Sequence, residues 1–174
     1  MKHQLGEQKS YHGNYTTKGS ILKLMDILVR DAVVLDLVST DKRGVLDELS
    51  SALAEAEPAI DPEELGTILH ERETLQSTGI GDGVAIPHGK LPGLQGLLAS
   101  FARSREGVNF DSLDGEMTKL FFLLVVPEHS GGEHLKALAR ISRFFRDSTF
   151  RKSLLEADSL EKVLGTIEQE DEKF

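Results

Sequence analysis

Residues 77–90 read STGIGDGVAIPHGK, a glycine-punctuated turn that runs through a short apolar segment to one histidine behind a proline. Gly79, Gly81 and Gly83 permit positive φ and leave backbone N–H groups open to an approaching anion, which makes them candidate phosphate-binding residues. Thr78 would add a minor hydroxyl donor. Val84, Ala85 and Ile86 read as a short buried strand end, while Pro87 fixes φ, pushes Ile86 toward extended geometry and has no donor of its own. His88 is thereby presented at a strand mouth as a reactive group. The glycines alone decide nothing, and an ordinary turn stays open. Val84 stands where a dinucleotide fingerprint wants its third glycine, and no Lys-Ser or Lys-Thr pair follows, as a phosphate-binding loop would require.

Working outward, the C-terminal half is the clearer. Residues 119–126 read as one continuous buried strand that ends at Pro127, apolar throughout from residue 120, the pattern of a central strand buried on both faces. Residues 97–103 alternate as a strand, and Asp114-Gly115 marks a turn. Ser130-Gly131-Gly132-Glu133 resembles a capping box, after which Leu135, Leu138, Ile141 and Phe145 mark a helical apolar face. Asp147 or Ser148 caps a helix bearing Phe150 and Leu154; residues 158–161 cap another carrying Leu160, Val163, Leu164 and Ile167. The acidic residues 168–172 are expected to fray. Upstream, residues 21–29 predict a short helix and 33–38 a strand rich in β-branched residues. Val45, Leu46, Leu49, Ala52 and Leu53 then follow helical spacing up to Pro58. Asp61-Pro62-Glu63-Glu64 is a strong helix start, with the helix running to about Gln76. This order implies an α/β fold, a mixed β-sheet flanked by helices on its faces.

The chain has 174 residues, enough for one domain with a sizeable core, read as residues 21–174. Residues 1–20 are polar and aperiodic, and are expected to be a flexible N-terminal extension or a cloning remnant. There is no cysteine, hence no disulfide, thiolate nucleophile or cysteine zinc site, which suits a reducing cytoplasm. A formal net charge of −9 argues against nucleic-acid binding and favours a basic protein partner. The longest purely apolar run, residues 120–126, is far too short to cross a bilayer, so direct membrane insertion is not expected.

The stretch HERETLQSTGIGDGVAIPHGKL, residues 70–91, resembles the signature of phosphotransferase-system (PTS) enzyme IIA domains of the fructose/mannitol class, type 2, and within it the nitrogen-regulatory branch. The likeness continues through VNFDSLDGEMTKLFFLLVVP and EHLKALARIS, covering roughly residues 25–167. It implies a three-layer α/β/α arrangement like that of mannitol enzyme IIA. It also implies that the histidine of the PHG triplet, here His88, carries a phosphoryl group.

His88 suits that role chemically, since an unperturbed imidazole is mostly neutral near pH 7 and a ring nitrogen can attack phosphorus without a separate base. Transfer then needs positioning and neutralisation of the phosphoryl oxygens. Arg72 follows Leu65, Ile68 and Leu69 on a buried helical stripe. It reads either as a fork of donors for those oxygens or as a cation bonding the last carbonyls of its helix; the resemblance implies the former. His134 would lie in the first turn of its helix, where an isolated histidine is often structural. The resemblance implies a second active-site histidine at the start of the HLxxL stretch, which His134 matches, there to bond the phosphoryl group or hold His88 in its productive tautomer. Lys90 reads as a solvated lysine, and His3, His12, His70 and His129 as surface or structural residues.

The leading expectation is therefore a phosphocarrier that accepts a phosphoryl group on His88 from an HPr-like protein, with no cofactor or metal required. The downstream partner would be a sugar-transport IIB domain, or, in the nitrogen-regulatory branch, a target such as a sensor kinase or potassium transporter. The lack of a fused IIB or membrane segment favours the regulatory use. A third class, a metal-dependent hydrolase built on His88, His129, His134, Glu128 and Glu133, lacks the histidine spacing of the zincin helix.

Overall fold

The computed structural model describes residues 22–174; the extension expected over residues 1–20 lies outside them. Its centre is β5 (Thr118–Pro127), the apolar run seen in the sequence. Leu120, Phe122, Leu124 and Val126 pack into one cluster, while Phe121, Leu123 and Val125 pack into another on the opposite face. Burial on both faces is why this strand shows no polar alternation. Each fully buried phenylalanine here contributes roughly 1.5–3 kcal/mol by leaving water.

Two short strands, β2 (Val84–Ala85) and β3 (His88–Leu91), run parallel to β5. Val84 pairs with Leu120 and His88 with Leu124, so the offset is constant and the two form one lane along a single edge of β5. Pro87 divides that lane. It cannot donate to the ladder, though its carbonyl still accepts from Leu124 N–H at 2.9 Å. β1 (Gly79–Gly81) lies antiparallel on the outer side of β2, and β4 (Leu98–Val108) lies antiparallel on the far edge of β5.

Among the described residues six α-helices cover the sheet. α2 (Lys42–Ala56) and α3 (Pro62–Leu75) lie over Ala85, Phe121, Leu123 and Val125. Asp41 and Asp61 cap them, accepting from Gly44 N–H and Glu63 N–H, and Pro62 opens α3 as expected. α1 (Leu24–Ile27), α4 (Glu133–Arg146), α5 (Ser148–Glu156) and α6 (Leu160–Lys173) cover the other face. The result is a three-layer α/β/α arrangement with a mixed sheet.

Several details differ from expectation. Residues 33–38 are not a strand: after a 3-10 turn at Arg30–Ala32 they meet β4 through the isolated bridge Val34↔Ala102 and through Leu37 N–H, which donates to the Arg103 carbonyl at 2.8 Å. Ser130 does not cap α4, whose cap position is Gly132, because the Ser130 hydroxyl lies against the His134 ring instead. Leu135 is 61% exposed, and Ala137 and Phe144 take its expected place in the core. The caps of α5 and α6, by contrast, fall within the expected stretches, at Asp147 and Ser159.

The acidic tail is not frayed. α6 continues to Lys173, and the buried Asp171 accepts from Leu24 N–H at 2.8 Å, Met25 N–H at 2.9 Å and Arg140 Nη2 at 3.1 Å. Those two amides open α1 and have no partner within their own helix. One carboxylate thus joins both ends of the described chain.

Candidate functional site

His88 is the first residue of β3, immediately after the proline break. Its imidazole is half-buried, and Nδ1–H donates to the Ile86 carbonyl at 2.8 Å. A carbonyl only accepts, so the proton belongs on Nδ1 and the lone pair on Nε2. Burial holds the His88 pKa below its ordinary 6.5, and the Arg72 charge and His134 push the same way. The Ile86 hydrogen bond and the Glu73 carboxylate oppose them. A ring whose charged form is disfavoured keeps its lone pair available at neutral pH.

The strand approaches α3 closely just here. A Cβ on Gly89 would stand 2.7 Å from Ile68 Cγ2 and 3.5 Å from Leu69 Cδ2. The missing side chain therefore lets β3 settle against the helix that carries Arg72. Gly89 was not singled out from the sequence, where its place after His88 was the only signal.

Arg72 makes the helix-end bond that one of its two sequence readings expects. Nη1 donates to the Gln76 carbonyl at 2.9 Å, closing the end of α3, while the guanidinium bears electrostatically on His88. Among the described residues that is its one hydrogen bond, which leaves Nε and Nη2 as free donors. His134 stands in the first turn of α4, its Nδ1–H donating to the Gly131 carbonyl at 2.8 Å with the Ser130 hydroxyl 3.2 Å away. This also leaves Nε2 free. An anion attached to His88 Nε2 would thus have a guanidinium and a second imidazole acting on the same region.

The glycines shape a hairpin away from His88. Gly81 (φ 99), Asp82 (φ 55) and Gly83 (φ 75) form the tip between β1 and β2. Asp82 N–H donates to the Asp114 carboxylate at 3.0 Å, so the anion held at this tip is the chain's own. That bond and one from Glu116 N–H hold the Asp114 pKa below its usual value. At about 3.3 Å per residue the tip lies ~16 Å along the lane from His88. Gly79 is needed for clearance, since a Cβ there would meet Ser112 Cα at 2.9 Å. Thr78, expected as a donor to a bound anion, donates its hydroxyl to Glu73 and is 5% exposed.

Sequence reasoning also missed Glu73. Leu65, Leu69 and Glu73 lie four residues apart on the buried face of α3, a stripe that would have singled out Glu73 rather than Arg72 as the deeper charge. Glu73 pairs with Lys42 Nζ at 2.9 Å. Elsewhere, His129 is exposed and His70 pairs with Asp47 at 3.0 Å; His3 and His12 lie outside the described residues. A cleft of about 370 Å³, lined by residues 36–40 and 104–107, sits beyond the Arg103–Leu120 end of the sheet, remote from the His88–Leu124 end. Among the described residues no three His, Asp or Glu side chains come together as a metal site, and no helix is long and apolar enough to cross a membrane.

Residues 26–170 match the family model described as the phosphoenolpyruvate-dependent sugar phosphotransferase system, EIIA 2. The chain is 40% identical over 146 residues to a nitrogen regulatory protein of Bradyrhizobium diazoefficiens, covering 84% of this chain and 95% of that one. It is 35% identical over 150 residues to a PTS system fructose-specific EIIABC component of Bacillus subtilis, covering 86% of this chain but spanning only 24% of that protein. The crystal structure of nitrogen regulatory protein IIA-Ntr from Neisseria meningitidis superposes with a TM-score of 0.76 at 36% identity, covering 82% of this chain and 97% of that one. A complex of enzyme IIAMTL and phosphorylated enzyme IIBMTL from Escherichia coli shares the fold, at a TM-score of 0.66 and 18% identity over 80% of this chain and 95% of that one.

Proposed function

The chain belongs to the EIIA type 2 family of the phosphoenolpyruvate-dependent phosphotransferase system, and from that premise we propose that it is a phosphocarrier whose acceptor atom is Nε2 of His88. The observation that carries this is the ring itself: Nδ1–H is tied to the Ile86 carbonyl, so the free lone pair is on Nε2. The donor is an HPr-like protein bearing a phosphohistidine. Nε2 attacks phosphorus in line, a new P–N bond forms as the donor's P–N bond breaks, and the electron pair returns to the donor imidazole. Nδ1–H stays on its carbonyl throughout, so no external base is needed. Arg72 and His134 hold the phosphoryl oxygens and offset the charge gathered there in the transition state.

The role of the phosphorylated form is regulatory in this proposal, with a sensor kinase or potassium transporter as the kind of target. The 40% identity to a named nitrogen regulatory protein supports it. A second reading, a IIA component passing the group to a separate IIB in fructose- or mannitol-type uptake, is favoured by the 35% identity to the fructose component. Incubation with phosphoenolpyruvate, enzyme I and an HPr-like carrier should label the protein, and His88→Ala should not label. Undiminished labelling of that variant would defeat the proposal. Onward passage of label to a IIB domain selects uptake, and a stable phosphoprotein that alters binding to a target selects regulation.

A further inference from the structure

A buried carboxylate stands behind the proposed acceptor. Glu73, in the last turn of α3, is 8% exposed, and nothing in transfer at Nε2 requires it to touch the phosphoryl group. It accepts from Thr78 N–H at 3.1 and 3.2 Å and from the Thr78 hydroxyl. The Thr78 carbonyl accepts from Ile86 N–H at 3.0 Å, and the Ile86 carbonyl accepts from His88 Nδ1–H. The other side of the carboxylate meets Lys42 Nζ, which sits 4.8 Å over the Phe110 ring and 3.6 Å from Asp111. Lys42, Glu73, Thr78, Ile86 and His88 thus form one unbroken line of contacts drawn from α2, α3, the residue before β1 and the β2–β3 lane.

A buried ion pair is a poor way to gain stability, since an apolar pair of similar size does as well or better without the desolvation cost. Its value lies in what it orients. The Ile86 carbonyl decides which ring nitrogen of His88 keeps the proton, and Pro87 leaves that peptide without an N–H to anchor it. Thr78 supplies the support through its bond with Ile86, and Glu73 anchors Thr78 at two donors. The charge acts as well: around His88 the Arg72 guanidinium and His134 favour the neutral ring, and Glu73 is the opposing charge. Lys42 balances the carboxylate, so that an incoming phosphoryl group is not repelled.

We propose that Glu73 is a positioning residue for phosphoryl transfer, holding the Nδ1-protonated tautomer of His88 through Thr78 and the Ile86 carbonyl. The proposal rests on the reading of His88 as the acceptor. Glu73→Gln keeps the size but removes the charge, and it leaves one carbonyl oxygen where two carboxylate oxygens took up Thr78 and Lys42, so the hold on Thr78 is weakened. Ring 15N shifts of His88 across a pH series, and quenched-flow transfer from a phosphorylated HPr-like donor over the same range, form the test. In Glu73→Gln the His88 titration moves to lower pH, the Nδ1-protonated fraction falls, and transfer slows about tenfold or more with its pH profile displaced to the acid side. A lowered melting temperature with wild-type ring shifts and an unmoved pH profile would mean a merely structural residue, and would overturn the proposal. Should that variant fail to fold, Lys42→Met takes its place: unbalancing the carboxylate moves the His88 titration upward, and an unmoved titration is again a refutation. Wild-type protein that takes no label at His88 defeats the functional reading, while the ring shifts still decide whether Glu73 governs the tautomer.

Discussion

Gly89→Ala is a one-carbon perturbation whose consequences follow from a single distance. The added Cβ would lie 2.7 Å from Ile68 Cγ2, against roughly 3.4–4 Å for ordinary contact. Either β3 or the Ile68 side chain must retreat by about an ångström. The backbone at Gly89 is not in the left-handed region, so the cost is steric, of the overpacking kind, about 1–3 kcal/mol. For a domain of this size that lowers the melting temperature by roughly 2–12 °C. The retreat also draws His88 away from α3, which carries Arg72, so transfer should slow by more than the loss of folded protein explains. Thermal unfolding and quenched-flow phosphorylation on the same sample separate the two effects. Adding Ile68→Ala removes the obstructing methyl and should restore much of the transfer rate, despite the cavity it leaves. Wild-type melting and wild-type transfer in Gly89→Ala would refute the argument that β3 is seated against α3 through this gap.

Arg72→Lys keeps the positive charge but loses the fork that bonds the Gln76 carbonyl and that the proposal aims at the phosphoryl oxygens; transfer should slow about tenfold or more, and an unchanged rate removes Arg72 from the site. Asp171→Ala leaves two helix-opening amides and Arg140 without their acceptor and should cost about 3 kcal/mol in urea unfolding; a midpoint equal to wild type would show that the tail does not hold α1. Because the folded His88 pKa is depressed, the unfolded chain takes up its proton first as pH falls through 6.5. The stability from this group is therefore complete above that pH and declines toward the folded value. His88→Gln should flatten this part of the stability–pH curve, and a superimposable slope would contradict the burial of the ring.

How far the sequence led depended on whether a residue's role was local. β5 was legible because a strand buried on both faces must be apolar throughout, and His88 because Pro87 rigidly sets the chain before it. Arg72 and His134 were each ambiguous by spacing; Arg72 bonds the carbonyl at its helix end through Nη1, and its remaining donors are the ones the proposal above employs. The failures involve partners distant in sequence. Residues 168–172 look like solvated acid until α1, about 145 residues upstream in the chain, brings its unpaired amides to Asp171. Residues 33–38 have the composition of a strand, but the turn at Arg30–Ala32 lets them touch β4 at isolated points only. The glycine tip reads locally as a place for an external anion, and only the folded chain shows Asp114, from another loop, accepting from Asp82 N–H there. Glu73 went unnoticed because its neighbour Arg72 drew the argument, though the interval from Leu69 was there to be read.

The central claim is that one ring nitrogen, Nε2 of His88, receives the phosphoryl group. Phosphorylation from phosphoenolpyruvate through enzyme I and an HPr-like carrier, followed by 15N NMR of the intact phosphoprotein, reads both the residue and the atom. The account predicts a single acid-labile phosphohistidine at His88, bonded through Nε2, with Nδ1 still protonated. A phosphoryl group on Nδ1, on His134, or on no histidine at all would contradict it.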